Sequence, residues 1–252
     1  MRWRLLETGH SNAFHNMAMD EAIMEARKEG KVPPTLRLYG WSPKAVSIGY
    51  FQRLHDGVYV EKCRDLGIDI VRRITGGGAV FHDMEVTYSV VASETGDSIP
   101  QNIQESYELI CAGIVEGLKN AGLEASISPT NDVVVGSAKI SGNAQTRRKG
   151  IILQHGTILL DADYETMLSI LKVGGEKTRR GTICMPRERV TSLRELSLDG
   201  YDFQKISSQL VKGFEKALGA ELARERPTRE ELERTEELSR TKYASQQWIE
   251  RR

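Results

Sequence analysis

Three consecutive glycines, Gly76-Gly77-Gly78, stand between two runs that favour extended chain, and this juxtaposition limits the folds open to the sequence. Upstream, residues 68–73 form an apolar strand that ends in the pair Arg72-Arg73. Downstream come Ala79-Val80-Phe81-His82-Asp83 and then the β-branched and aromatic Val86-Thr87-Tyr88-Ser89-Val90-Val91. Lacking Cβ, the glycines let the backbone take positive φ and approach a ligand closely. Successive N–H groups in such a loop can cradle an anion, and adjacent guanidiniums can clamp carboxylate or phosphate. A dinucleotide fingerprint or a P-loop must open a helix, because the phosphate sits on the helix N-terminus. Here a strand follows, and no Gly-Lys-Ser/Thr is present. The device is strand–glycine loop–strand; taken alone, it is equally compatible with a solvated hairpin turn.

At 252 residues the chain fits one domain, residues 1–252. Lys+Arg and Asp+Glu both number 35, so no global field draws it to nucleic acid or an anionic membrane. The N-terminus lacks a signal-like apolar run and no segment is long enough to span a bilayer, which implies a cytoplasmic protein. Cys63, Cys111 and Cys184 form no CxxC and read as free thiols. Periodicity predicts strands over 2–7, 36–39 (half-buried), 45–50 and 80–92, and helices over 13–28, 58–66 and from 103 to Gly122, with Cys111 in the core. Short antiparallel hairpins follow at 124–127, 132–135, 138–141 and 151–160. Helices over 164–171, 203–217 and 228–239 complete the chain, with a polar loop at 173–190. The last helix, dense in Glu and Arg, reads as solvated or partner-facing, and His15, Asp20 and Glu21 read as solvated or edge groups.

Three further stretches carry chemistry: Asn131-Asp132-Val133, the segment from Gly136 to Gln145 around Lys139, and Gln154-His155-Gly156-Thr157. Small neighbours leave the Lys139 ammonium free to enter a pocket as a point charge. Singly, Lys139 also fits a solvated hairpin and His155 a satisfied core histidine. Together, RRITGGGAVFHD, NDVVVGSAKISGNAQTR, QHGTILLD and RERVTSL resemble, in that order, the lipoate–protein ligase A family, of the biotin and lipoate ligase superfamily. The resemblance runs from the Asn16–Ala22 segment to Trp248.

This resemblance implies a mixed, largely antiparallel α/β (α+β) catalytic domain with helices flanking the sheets. It implies that lipoate and ATP give lipoyl-AMP, whose acyl group passes to a lysine of a lipoyl-domain carrier. Such carriers are the acyltransferase subunit of 2-oxoacid dehydrogenases and the glycine-cleavage H-protein. By motif position, Arg73, Gly78, Ala79, Val80 and Phe81 would bind the nucleotide phosphates. Lys139 would contact the acyl carbonyl and the α-phosphate, and Gly76, Gly77, His82, His155 and Gly156 would line the acyl channel, with Arg72 nearby. Asp132 is the candidate for holding Mg²⁺ or steering the incoming amine. Fixed donors at the reacting carbonyl and phosphate would stabilise charge developing there.

Two departures qualify the resemblance. Single-chain ligases carry a C-terminal accessory domain beyond the segment ending here near Trp248, so a separate small accessory subunit is expected for the adenylation step. The same scaffold also serves octanoyl-carrier-protein:protein octanoyltransferases, which use a cysteine shortly before the lysine motif. Residues 126–136 contain none, and Cys184, flanked by Arg180 and Arg187, is the remaining alternative nucleophile. Octanoyl transfer is thus the alternative function, and a non-catalytic acyl-adenylate-binding module is a third.

Overall fold

The computed structural model describes residues 2–128, 131–172, 190–198 and 200–251. Cys184 and most of the polar loop at 173–190 lie outside them. An eight-stranded sheet runs β11-β1-β2-β6-β10-β9-β8-β7 and a three-stranded sheet runs β4-β3-β5. In the large sheet β1 (Arg2–Ser11) pairs in parallel with both β2 (Thr35–Trp41) and β11 (Glu221–Arg224). The pairings through β6 (Glu85–Ser93), β10 (Ile151–Leu159), β9 (Ala138–Arg148), β8 (Asp132–Val135) and β7 (Ala125–Ile127) are all antiparallel. The expected mixed, largely antiparallel α/β architecture is therefore the observed one.

Helices cover both faces of the large sheet. On one face, α4 (Ile103–Asn120) and α6 (Phe203–Leu218) pack on Leu36, Leu38, Val86, Tyr88, Val90 and Ile152. A Cβ on Gly213 would lie 2.3 Å from Gly113 O, so glycine permits the close crossing of these two helices. On the other face, α1 (Ala13–Lys28), capped by Asn12 accepting from the His15 N–H, packs on Tyr39, Trp41, Val91 and Leu153. Double coverage corrects the half-buried reading of 36–39: every residue of β2 is buried.

The small sheet comprises β3 (Ala45–Ile48), β4 (Asp69–Arg72) and β5 (Val80–His82), which place the glycine loop between β4 and β5. Its core is shared with α2 (Leu54–Gly57), α3 (Val60–Asp65) and α5 (Tyr164–Ile170), and it buries Cys63. The 228–239 helix, α7 (Arg229–Leu238), is not purely solvated. Its Glu231 is buried and takes both Arg4 Nη1 and Nη2, at 2.8 and 2.6 Å, while its own carboxylate closes the capping box on Thr228. A π-helical turn at Ser239–Tyr243 and α8 (Gln246–Ile249) end the described chain.

Candidate functional site

Period-two alternation sends apolar residues of β6 and β10 into the α4–α6 core and turns Thr87, Ser89, His155 and Thr157 toward α1 and the small sheet. A cavity of about 410 Å³ forms on that face. The glycine loop walls one side with Arg73, Gly77, Gly78, Ala79 and Val80, and β9 supplies Lys139, Gly142, Asn143 and Ala144. His82, Asp132, His155 and Gly156 also line it. The structure thus gathers Arg73, Gly77, Gly78, Ala79, Val80, His82, Asp132, Lys139, His155 and Gly156 around one space.

Glycine is required at two of these walls by close approach. A Cβ on Gly49 would lie 2.0 Å from Gly77 O, and one on Gly156 would lie 2.1 Å from Asn143 Oδ1. Gly77 itself has φ +99°, in the left-handed half of backbone space.

Lys139 reaches the cavity with its Nζ 2.8 Å from Asp132 Oδ1, the side chains 27% and 13% exposed. The pair is partly open to solvent, so the ammonium remains available to a ligand oxygen. Tyr88 OH donates to Asn143 Oδ1 at 2.8 Å, and Asn143 Nδ2 donates to Asn131 O at 2.8 Å, fixing the amide beside the lysine. Thr191 N–H donates to Lys139 O, so the chain that re-emerges at residue 190 is tied directly to the lysine strand.

Asp20 is the main correction to the sequence reading. It is 1% exposed, and Oδ1 accepts from Arg37 Nη1 at 2.8 Å and Ser89 Oγ at 2.9 Å, Oδ2 from Tyr39 OH and His155 Nδ1, both at 3.1 Å. Burial opposes its charge, but the His155 and Arg37 interactions prevail and hold the carboxyl below the usual carboxylate range. Burial conversely lowers the His155 imidazole below its ordinary value, keeping it neutral. Glu21, also read as an edge group, binds Lys242 Nζ and Tyr243 OH.

Arg72, Gly76 and Phe81 do not line the cavity. Arg72 is buried and donates to the carbonyls of Gly49, Tyr50, Gln52, Trp248 and Ile249, clamping α8 to the small sheet, and Trp248 Nε1 donates back to Arg72 O at 2.9 Å. Phe81 belongs to the small-sheet core. The lining also includes Tyr39, Trp41, Ser47 and Thr87, which the motifs did not single out. Ser47 between Val46 and Ile48, and Thr87 between Val86 and Tyr88, are polar positions in buried strands, and that pattern was the available signal.

Among the described residues no three His, Cys, Asp or Glu side chains cluster as a metal site. Asp132, the Mg²⁺ candidate, lines the cavity and pairs with Lys139. Cys63 and Cys111 are buried away from the cavity lining, and burial pushes their thiols up to about 11 and about 12. Neither has the depressed pKa that a nucleophilic thiol needs. No helix of the described residues is long and apolar enough to cross a membrane.

The sequence model of the lipoyl protein ligase A/B catalytic domain matches residues 12–215. The octanoyltransferase LipM of Kyrpidia tusciae is 42% identical over 268 residues, 98% of this chain and 97% of that protein. The LipM of Bacillus subtilis is 34% identical with the same coverage. A lipoate-protein ligase A bound with ATP superposes with a TM-score of 0.85 at 30% identity, over 99% of this chain and 98% of the other. The bipartite lipoate protein ligase of Thermoplasma acidophilum, solved in a study that also covers its E2 lipoyl domain, gives 0.86 at 31% identity, over 99% and 96%.

Proposed function

The chain belongs to the lipoyl protein ligase A/B catalytic-domain family, and we propose that it transfers a medium-chain acyl group, octanoyl or lipoyl, to one lysine of a lipoyl-domain carrier protein. The observation that carries this reading is Lys139, held on Asp132 and opening into the same cavity as the glycine loop and the Asp20–His155 pair. The acyl tail occupies the cavity and the activated carbonyl lies at Lys139. When the carrier amine attacks, the bond from carbonyl carbon to leaving group breaks and negative charge passes through the carbonyl oxygen. A fixed ammonium stabilises that charge, and removing one such donor costs about 2.7–4 kcal/mol.

The relatives are named octanoyltransferases, so the first donor to test is octanoyl-carrier protein, the donor of the alternative reading. A second reading, activation of lipoate by ATP, is favoured by one specific observation. Residues 126–136 hold no cysteine and neither described cysteine lines the cavity, whereas an adenylate needs no enzyme thiol. In that route ATP arrives with Mg²⁺ as substrate, the N–H groups at 77–79 face the phosphates, and the separate accessory subunit remains part of the expectation.

The test is to incubate the chain with a lipoyl domain and, in separate reactions, octanoyl-carrier protein, lipoyl-adenylate, or lipoate with ATP, and to follow the carrier by intact mass. Acylation from the thioester supports the first reading; acylation only from the adenylate or from lipoate with ATP supports the second. Acylation from none would overturn both. Lys139→Met should lower the productive rate by about a hundredfold or more. Its stability should change by about 1 kcal/mol or less, since the Asp132 pair is partly exposed.

A further inference from the structure

Arg73 is fully buried against solvent screening yet, among the described residues, no carboxylate touches it. Its guanidinium instead meets two hydroxyls. Nε–H donates to Thr75 Oγ1 and Nη1–H to Ser47 Oγ, both at 3.1 Å. Behind each hydroxyl stands a buried imidazole and then a buried carboxylate. Thr75 Oγ1 lies 2.7 Å from His155 Nε2, whose Nδ1 reaches Asp20; Ser47 Oγ lies 2.8 Å from His82 Nε2, whose Nδ1 lies 2.7 Å from Glu85 Oε1.

The directions of these bonds agree throughout. A carboxylate only accepts, so each Nδ1 carries the proton; burial keeps the His155 ring neutral, its Nε2 then accepts from Thr75 Oγ1, and each hydroxyl accepts from the guanidinium. Trp41 stacks on His82 at 3.9 Å, and Trp41 Nε1 donates to Thr87 Oγ1, which donates to Glu85, so the second chain is also fixed laterally. The remaining donors of Arg73 go to backbone: Nη1 to Ser47 O, and Nη2 to Gly76 O at 2.7 Å and Gly78 O at 2.8 Å. Because a trans peptide places N–H opposite C=O, the N–H groups of Gly77 and Ala79 point away from the guanidinium. None of the N–H groups of Gly77, Gly78 and Ala79 makes a backbone hydrogen bond among the described residues.

We propose that Thr75–His155–Asp20 and Ser47–His82–Glu85 are twin relays that position Arg73 as the strut of the glycine loop, so that the loop N–H groups, not the guanidinium, contact the ligand's anionic oxygens. An ion pair would have held Arg73 to one side and spent its fork on a carboxylate; two hydroxyls hold it from both sides and leave Nη2 for the loop carbonyls. The histidines and Thr75 and Ser47 are therefore positioning residues. The effect on the loop is independent of the acyl-transfer reading; the effect on substrate affinity rests on it.

The test compares Thr75→Val, which keeps the shape and loses the hydroxyl, with Thr75→Ser, which restores it, and with Ser47→Ala. Amide hydrogen exchange at Tyr50, whose N–H donates to Thr75 O at the base of the loop, should accelerate by roughly tenfold or more in Thr75→Val and Ser47→Ala, and return to the parent rate in Thr75→Ser. KM for the active acyl donor should rise by a similar factor, with kcat at saturation changed far less. Unchanged exchange in a folded Thr75→Val protein would overturn the proposal even if transfer is slowed. Altered exchange in a chain that acylates no carrier would leave the strut standing and sink the functional reading instead.

Discussion

Replacing Asp20 by Ala should destabilise the protein more than any change at Lys139 or the glycine loop. Asp20 is 1% exposed and accepts from four side chains: Arg37, Ser89, Tyr39 and His155. Its removal leaves the equally buried Arg37 without its only carboxylate in contact among the described residues, although Asn16 and Thr8 still accept from it. Breaking a buried pair from one side costs about 3–5 kcal/mol. The orphaned hydroxyls and imidazole each add about 1 kcal/mol at least, less than additively because they share one centre. A total near 4–6 kcal/mol is a large part of the roughly 5–15 kcal/mol that holds an ordinary domain together. At about 2–4 °C per kcal/mol for a chain this long, melting should fall by roughly 10 °C or more. The assay is urea unfolding followed by circular dichroism, for the parent, Asp20→Ala, Arg37→Met and the double variant. The double variant should be more stable than the two single costs predict, by about 2 kcal/mol, because it removes the uncompensated charge. A loss below about 1 kcal/mol for Asp20→Ala would refute the electrostatic account of this face.

The same pair sets a pH dependence. Burial lowers the folded His155 value below its ordinary 6.5, so as pH falls through 6.5 the unfolded chain takes up a proton that the native state refuses, and stability falls. His155→Gln should flatten the slope between about pH 7 and 5.5, measured by urea midpoints; an unchanged slope contradicts the assignment. Arg72→Lys cannot reproduce the fork onto Gly49, Gln52 and Ile249, so limited proteolysis should cut beyond Tyr243 faster while the large sheet stays intact. Gly49→Ala puts a methyl 2.0 Å from Gly77 O and must displace the loop, so acyl transfer should drop about tenfold or more in a folded protein. Full activity in that variant would show that the loop position is not critical.

The parts legible in the sequence are those whose cause is local. The helix over 13–28 and the helix from Ile103 to its stop near Gly122 are fixed by neighbours three or four residues away. What escaped depends on distant partners. Asp20 sits between Met19 and Glu21 with nothing local to mark it, and its acceptor role exists only because Arg37, Ser89 and His155 arrive from three different strands. The strand Glu221–Arg224 is short and exposed at both ends, and becomes a strand by adding in parallel to the edge of β1. Helix α7 looks solvated because its buried positions are Glu231 and Thr235 as well as Leu238; the burial of Glu231 follows from Arg4, far away in the chain.

The arginine pair shows most clearly why a motif fixes a site only to within a residue. Arg72 and Arg73 are adjacent at the end of an extended strand, so their side chains leave on opposite faces. One face meets the C-terminal segment and the other meets the cavity, and the sequence carries no mark of which is which. Reading both as ligand contacts assigns two cations to the pocket, whereas the fold spends Arg72 on five carbonyls of two distant segments and Arg73 on the loop itself. Among the described residues, the only Lys or Arg lining the cavity besides Arg73 is then Lys139, across the cavity on β9. Arg73 thus acts on the glycine loop and Arg72 on the segments at 49–52 and 248–249, so in the proposed function stabilisation of the reacting carbonyl falls to the lysine and recognition of anionic oxygens to backbone N–H groups.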